Sequence, residues 1–279
     1  MAKPIFPCIW YDGQAKEAAD FYCSIFFHAR IVAENPPVVI FEISGKKIMG
    51  LNGGPMFKPN PSISFFIYCP TVAETSRVWD RLMEGGKALI PIGEYPWSKH
   101  YGWAQDKFGM TWQVMLNEEN APGQSLTPSL LFTGDQFGRA EEAIKFYTSL
   151  FDNSRADVVV PYPQGDANAG KVMFSEFYLN GHLFIAMDGP GVHDYTFGEG
   201  VSLVVECDTQ EEIDHYWDAF TKAGEESMCG WCKDQFGLSW QVVPSMLGTL
   251  MSDPAKRQQV MEALLKMKKI DIQALRDAG

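Results

Sequence analysis

The sequence predicts an α+β chain of two tandem copies of one fold, each made of two β-α-β-β-β units, followed by a helical tail. Three observations carry this. The run Trp103-Ala104-Gln105-Asp106-Lys107-Phe108-Gly109-Met110-Thr111-Trp112-Gln113-Val114 returns 128 positions later as Trp231-Cys232-Lys233-Asp234-Gln235-Phe236-Gly237-Leu238-Ser239-Trp240-Gln241-Val242. An internal copy at long period means two similar folded units. Further pairs keep the same order: Glu17–Phe26 with Glu142–Phe151, Ser64–Cys69 with Ser202–Cys207, and Trp79-Asp80 with Trp217-Asp218. Inside each copy, short strand-like runs surround one helix-like stretch, and this happens twice.

Ile5–Tyr11 reads as a strand, closed by the turn Asp12-Gly13. Ala15, Ala18, Ala19, Tyr22 and Phe26 recur at helical spacing and predict a helix over Ala15–Phe26. Ile31–Ala33, Val38–Ile43 and Lys47–Leu51 are three short strands, with Ser44-Gly45 as the hairpin between the last two. Ile63–Cys69 and Val72–Met83 begin the second unit as strand and helix. Gly85-Gly86 ends that helix, because glycine accepts the left-handed C-terminal conformation. Short strands are expected near Ala88, near Gly102 and at Thr111–Leu116, with Pro91–His100 as a longer loop. The first domain is placed at 1–120, a Gly/Pro/Ser linker at 121–127, the second domain at 128–245 and a helical arm at 246–279. In that arm Asp253-Pro254 starts a helix with the apolar stripe Val260, Ala263, Leu264 and Met267. A break at Lys269-Ile270-Asp271 leads to a short helix carrying Leu275. The arm reads either as packing over a sheet edge or as a lid.

Composition narrows the function classes. At 279 residues and 46% hydrophobic content, each half can bury a core. No apolar stretch reaches the ~20 residues of a membrane-spanning helix. Met1-Ala2-Lys3-Pro4 lacks an apolar leader, so a cytoplasmic location is expected. The formal charge of −12 repels phosphate backbones and anionic membranes, so neither nucleic acid nor membrane is expected as a partner. Cys229-Gly230-Trp231-Cys232 is formally C-x-x-C. On a strand, residues three apart face opposite sides, so inert thiols are expected over redox chemistry. Cys69 and Cys207 fall at equivalent strand ends, far apart by symmetry or close at a seam.

Glu17-Ala18-Ala19-Asp20-Phe21-Tyr22, Leu51-Asn52-Gly53-Gly54-Pro55, Gly102-Trp103 with Asp106-Lys107-Phe108-Gly109 and Trp112-Gln113, and Cys229-Gly230-Trp231 with Asp234-Gln235-Phe236-Gly237 and Trp240-Gln241 carry a family resemblance. So does the tail Val260–Ile272. The chain resembles the vicinal oxygen chelate superfamily, the glyoxalase and bleomycin-resistance fold, in its PhnB-like branch, often labelled 3-demethylubiquinone-9 3-methyltransferase. The resemblance implies two tandem glyoxalase-like domains, in each of which two units form an eight-stranded cupped sheet. The methyltransferase label fits poorly, since no G-x-G-x-x-G loop follows a strand.

Metal-using members of that superfamily hold His or Glu near the start of the first and fifth strands and Glu on the fourth and eighth. Here the first strands, Pro4–Tyr11 and Pro128–Thr133, contain no His, Asp or Glu. The fifth-strand positions hold Ser62, Ser64 or Ser202, and the eighth-strand positions hold Gln113 and Gln241. No pair among His28, His100, His182, His193 and His215 has ligand spacing, and His182, at a hairpin turn, is expected on the surface. Neither metal nor cofactor is expected.

Alternation puts Gln113 and Met115 on one strand face and Trp112 on the other. Gln113 and Gln241 then either face a cavity or pair with backbone across the barrel. Glu176, aligned with Ile40, is a candidate acid. It shares a face with Tyr178, and Tyr178 aligns with Glu42, so two acids in one cavity or a solvated face are the alternatives. Asn52 and Asp188 lie beside Gly-Pro turns and are ligand candidates or turn residues. Trp10, Trp103 and Trp231, with Trp97 and Tyr101, suit an aromatic wall for a flat or apolar compound.

The expected function is therefore metal-independent binding of an apolar or aromatic small molecule. The alternative is an enzyme of isomerase, lyase or dioxygenase type with a non-standard metal or acid site. A third reading makes one half a partner that closes a pseudo-dimer, giving a monomer or a homodimer.

Overall fold

The computed structural model describes residues 3–119 and 123–279. In chain order the elements are β1 (Phe6–Tyr11), α1 (Ala15–Ile25), β2 (Arg30–Asn35), β3 (Val38–Ile43), β4 (Lys46–Asn52), β5 (Ile63–Cys69), α2 (Val72–Leu82), β6 (Lys87–Tyr95), β7 (Ser98–Gln105) and β8 (Thr111–Leu116). The second half repeats them as β9 (Ser125–Phe132), α3 (Ala140–Leu150), β10 (Arg155–Pro161), β11 (Val172–Leu179), β12 (His182–Asp188), β13 (Val201–Cys207), α4 (Gln210–Thr221), β14 (Glu225–Glu226), β15 (Trp231–Lys233) and β16 (Ser239–Pro244). The arm holds α5 (Leu247–Ser252), α6 (Arg257–Leu264) and α7 (Ile272–Ala278).

Four β-α-β-β-β units are present and they form two eight-stranded sheets, as the fold class requires. The units combine across the halves rather than within them. Sheet I runs β14-β15-β16-β13-β1-β4-β3-β2, and sheet II runs β10-β11-β12-β9-β5-β8-β7-β6. Each sheet thus takes one unit from each half, joined by antiparallel seams: β1 with β13 (Cys8 opposite Ser202) and β5 with β9 (Ser64 opposite Ser129). Within a unit, the first and last strands run parallel, because a helix crosses over between them. The hairpins β3–β4 and β11–β12 turn at Ser44-Gly45 and Asn180-Gly181, all four at positive φ (49° and 74°, 49° and 79°). Such turns match the right-handed twist of the strands.

The helices pack on one face of each sheet and bury the main core. Trp112, Trp217 and Trp240 are fully buried in it. Trp112 of sheet II touches Tyr22 on α1 and Phe26 just after it, so the core is continuous between the sheets. The opposite faces carry smaller apolar clusters, around Phe66, Tyr68, Tyr101 and Ile185 on sheet II, and around Phe6, Cys8 and Val204 on sheet I.

Several local expectations change. Pro91–His100 forms the end of a bulged β6–β7 hairpin that turns at Pro96-Trp97, not a loop, and the Tyr95 and Tyr101 rings meet edge to face across its two arms. β9 begins at Ser125, inside the expected linker, since Ser125, Leu126 and Thr127 pair with Tyr68, Ile67 and Phe66. Ala121 and Pro122 of that linker lie outside the described residues, as do Met1 and Ala2. Cys229 sits in a turn at φ 61°, with only Cys232 on a strand. All six cysteines are free, and Cys69 and Cys207 lie in different sheets. In the arm, Asp253 caps a turn through Ala255 N, α6 starts at Arg257, and α5 is an added helix.

The arm packs against the short side of sheet I. Cys229 N donates to Met267 O (2.7 Å) and Gly230 N to Lys268 O (2.8 Å), while Ile270 and Leu275 are fully buried. β14 and β15 span two and three residues where β6 and β7 span nine and eight. The arm supplies the cover that the shortened hairpin lacks.

Candidate functional site: two curled faces

Two ring contacts measure the curl of the sheets. Trp10 on β1 and Trp231 on β15 are three strand intervals apart, roughly 14 Å in a flat sheet, yet their ring centroids lie 5.8 Å apart. Phe66 on β5 and Phe174 on β11 are also three intervals apart, with centroids at 6.5 Å. Each helix-free face is therefore a cup, here named I and II after its sheet.

Cup II has a polar floor and aromatic walls. Ser64, Ser129 and Gln113 are buried there. Gln113 Nε2 donates to Ser64 Oγ (2.9 Å), and Gln113 Oε1 accepts from Tyr101 Oη (2.5 Å). Thus Gln113 faces the cup, but its bonds go to side chains, not to backbone across the barrel. Trp103, Met115, Phe174, Glu176 and Met187 are half-buried on the same face. Tyr95 and Trp97 stack at the rim (5.1 Å, 22°), and Trp97 is 57% exposed. Burial, with help from nearby Asp157, raises the Glu176 carboxyl above its ordinary range. Burial also raises Tyr68, with the Glu176 charge adding to the effect.

Cup I is built on the same plan with different chemistry. Gln241 Nε2 donates to Ser202 Oγ (3.0 Å). Cys8 stands where cup II has Ser129, and burial pushes its thiol up to about 12 despite hydrogen bonding to Gln241 and Ser202. Such a thiol stays protonated and unreactive near neutral pH. Trp10 Nε1 donates to Gly54 O (2.7 Å). Its ring lies over Gly53, where a Cβ would come within 2.1 Å of Trp10 Cζ2. Lys47 Nζ bonds Glu206 Oε1 (2.7 Å) and stands 3.9 Å from the centre of the Phe6 ring.

The sequence-derived candidates separate accordingly. Trp10, Trp231 and Gln241 belong to cup I. Trp103, Gln113, Met115 and Glu176 belong to cup II, with Tyr178 farther along the same face under the Arg155 guanidinium (4.0 Å). Glu42 and Glu176 lie in different sheets, so they do not form an acid pair; Glu42 instead takes Arg30 (2.9 Å). Asn52 and Asp188 hold helix starts. Asn52 Oδ1 accepts from Ala15 N (2.9 Å), and Asp188 accepts from Gly138 N (2.7 Å), Ala140 N (3.2 Å) and Val172 N (2.8 Å). His182 is half-buried beside Lys46 Nζ, and both burial and that charge lower its pKa.

The donor sets of the two floors are neutral. The floor of cup II offers Ser129, Ile185, Ser64 and Gln113, and that of cup I offers Cys8, Met49, Ser202 and Gln241. Hydroxyls, amides, aliphatics and a protonated thiol do not meet the needs of a hard divalent ion. Among the described residues no group of three or more His, Cys, Asp or Glu converges.

Sequence reading passed over Asp106 and Asp234, although both stand in the repeated motif. Asp106 accepts from Tyr22 Oη (2.8 Å), Trp112 Nε1 (2.7 Å), Phe108 N (2.8 Å) and Met110 N (3.1 Å). Asp234 repeats this with Tyr147, Trp240, Phe236 and Leu238.

Two cupped sheets, each assembled from two β-α-β-β-β units, define a glyoxalase-type fold. The structure is similar to a glyoxalase I variant from Zea mays (12% identity, 85% of this chain and 91% of that chain, TM-score 0.54). It is also similar to a putative dioxygenase from Bacillus subtilis (10% identity, 98% and 95%, TM-score 0.52). The family model for 3-demethylubiquinone-9 3-methyltransferase matches residues 3–115 and 124–243, so the chain belongs to that PhnB-like family, in tandem form. A PhnB protein from Bacillus cereus, a putative 3-demethylubiquinone-9 3-methyltransferase, is 32% identical over 41% of this chain and all of its own, with TM-score 0.39. No curated protein matched the chain.

Proposed function

We propose that the protein binds a small apolar or aromatic molecule in cup II, without a metal ion. The observation that carries this reading is the curled, partly exposed wall of Trp103, Met115, Phe174 and Met187 over a buried polar floor. Aromatic walls with few placed polar groups suit a flat ligand. The neutral donor set of the floor supports metal independence. Methyl transfer draws no support from the residues, because no glycine-rich phosphate turn joins a strand to a helix. Both sheets are completed within one chain, which supports a monomer or a simple dimer readable by light scattering.

The test is a naphthalene titration followed through the methionine methyl signals by NMR. Saturable shifts at Met115 and Met187, unchanged after chelator treatment, are expected. Shifts confined to Met49 of cup I, or no saturable shift with either naphthalene or 2-acetylnaphthalene, would overturn the reading.

A further inference from the structure

Trp103 and Trp231 occupy equivalent places in the repeated motif, but their surroundings differ. Trp231 packs edge-on against Trp10 (5.8 Å, 75°). In cup II the place of Trp10 is taken by Leu131, and among the described residues Trp103 makes no ring-to-ring contact. Its Nε1 is buried and has no hydrogen-bond partner. Gln113, its register neighbour on β8, is the nearest candidate acceptor by position. Its Oε1 already takes the Tyr101 hydroxyl (2.5 Å), and its Nε2, a donor, is turned to Ser64 (2.9 Å). On the floor of the same face, Ser129 Oγ is also buried and unpartnered. Leaving a buried donor unsatisfied costs its full desolvation penalty, and native proteins leave few such groups. Two on one cup face, one of them an indole N–H that donates only, mark a place for an acceptor from outside the chain.

We infer that the compound taken by cup II is an uncharged aromatic carrying an oxygen acceptor, a carbonyl or ether, that receives the Trp103 indole N–H. This rests on the binding reading above and narrows it. An anion is disfavoured by Glu176 on the same face, and an ammonium or guanidinium group has no lone pair to receive the N–H. The flat ring lies against the exposed faces of the wall, and the N–H fixes its orientation. A site built to donate a hydrogen bond discriminates against an analogue that lacks the acceptor, because the buried N–H then stays unpaired.

The probes are 2-acetylnaphthalene and naphthalene, which share a ring system and differ in the carbonyl. The Trp103 indole signal in a 15N-labelled sample, assigned by its loss in Trp103→Phe, is expected to move downfield with the ketone and much less with the hydrocarbon. Wild-type protein is expected to prefer the ketone by about tenfold beyond its preference in Trp103→Phe. If both probes bind but the indole signal ignores the ketone and the preference survives in Trp103→Phe, the acceptor assignment is wrong while cup binding stands. If neither probe binds the wild type, the cup reading itself fails and the assignment falls with it. Where the variant does not fold, the wild-type indole signal is assigned instead by its nuclear Overhauser contacts to Gln113, its register neighbour, and its response to the ketone decides the matter.

Discussion

The phenol of Tyr22 donates a hydrogen bond to Asp106 Oδ2 at 2.8 Å, and that bond ties one sheet to the other. Tyr22 lies on α1, which packs on β3 and β4 of sheet I, whereas Asp106 follows β7 of sheet II. The second half repeats the tie between Tyr147 and Asp234 (2.7 Å). Hydrogen bonds to a charged group contribute about 1.5–3 kcal/mol. Tyr22→Phe and Tyr147→Phe are each expected to destabilise the protein by that order, measured by urea unfolding. The ties are in different halves, so the double variant should lose close to the sum.

The Asp106 carboxyl is pushed up to about 6 by burial, against the opposing pull of its four hydrogen bonds. Its folded pKa therefore exceeds the unfolded value of 3.8, and the folded state binds the extra proton. That contribution is fully present below the unfolded pKa and is lost as pH rises through about 6. Two pH units correspond to about 3 kcal/mol. The stability of the wild type relative to Asp106→Asn is thus expected to fall between pH 4 and pH 7. A difference that is flat, or that rises with pH, would count against a carboxyl held this way.

Gly53 lies directly under the Trp10 indole, with no room for a methyl group. Gly53→Ala is expected to push the ring out of cup I and to cost about 1–3 kcal/mol. Loss of the Trp10–Trp231 contact should appear as a change in tryptophan fluorescence.

Much of this was legible along the chain, and the exceptions have physical causes. Strict alternation at Trp112-Gln113 put the indole under the helices and the amide in the cup, because a strand has only two faces. The turn character of Asn52 and Asp188 was visible too, although the backbone N–H groups they accept from lie up to 50 positions away. The exchange of units between halves could not be read. Cys8 and Ser129 head equivalent strands with similar apolar flanks, so nothing in the local pattern selects which seam each one joins. Asp106 was readable in principle, since the motif repeats it, but its partner Tyr22 lies 84 positions upstream.

The arm gives a further expectation. Ile270 is fully buried where it closes over Gly230, whose added Cβ would meet Ile270 Cδ1 at 2.9 Å. Ile270→Ala removes that cover and is expected to cost about 2–5 kcal/mol. Amide exchange should accelerate at Cys229 and Gly230 and stay unchanged in the β6–β7 hairpin. Acceleration at both ends alike would mean that the arm stabilises the whole molecule and not one edge.

Because each sheet needs a unit from either half of the chain, neither sheet can close while only the first half has been synthesised. When residue 119 has emerged, β1 and β5 each present an open, apolar border whose mate has not been made. Two nascent copies could satisfy one another at those borders. The fused second half acts against this by arriving in cis, so that the molecule's own later residues outcompete a neighbour's.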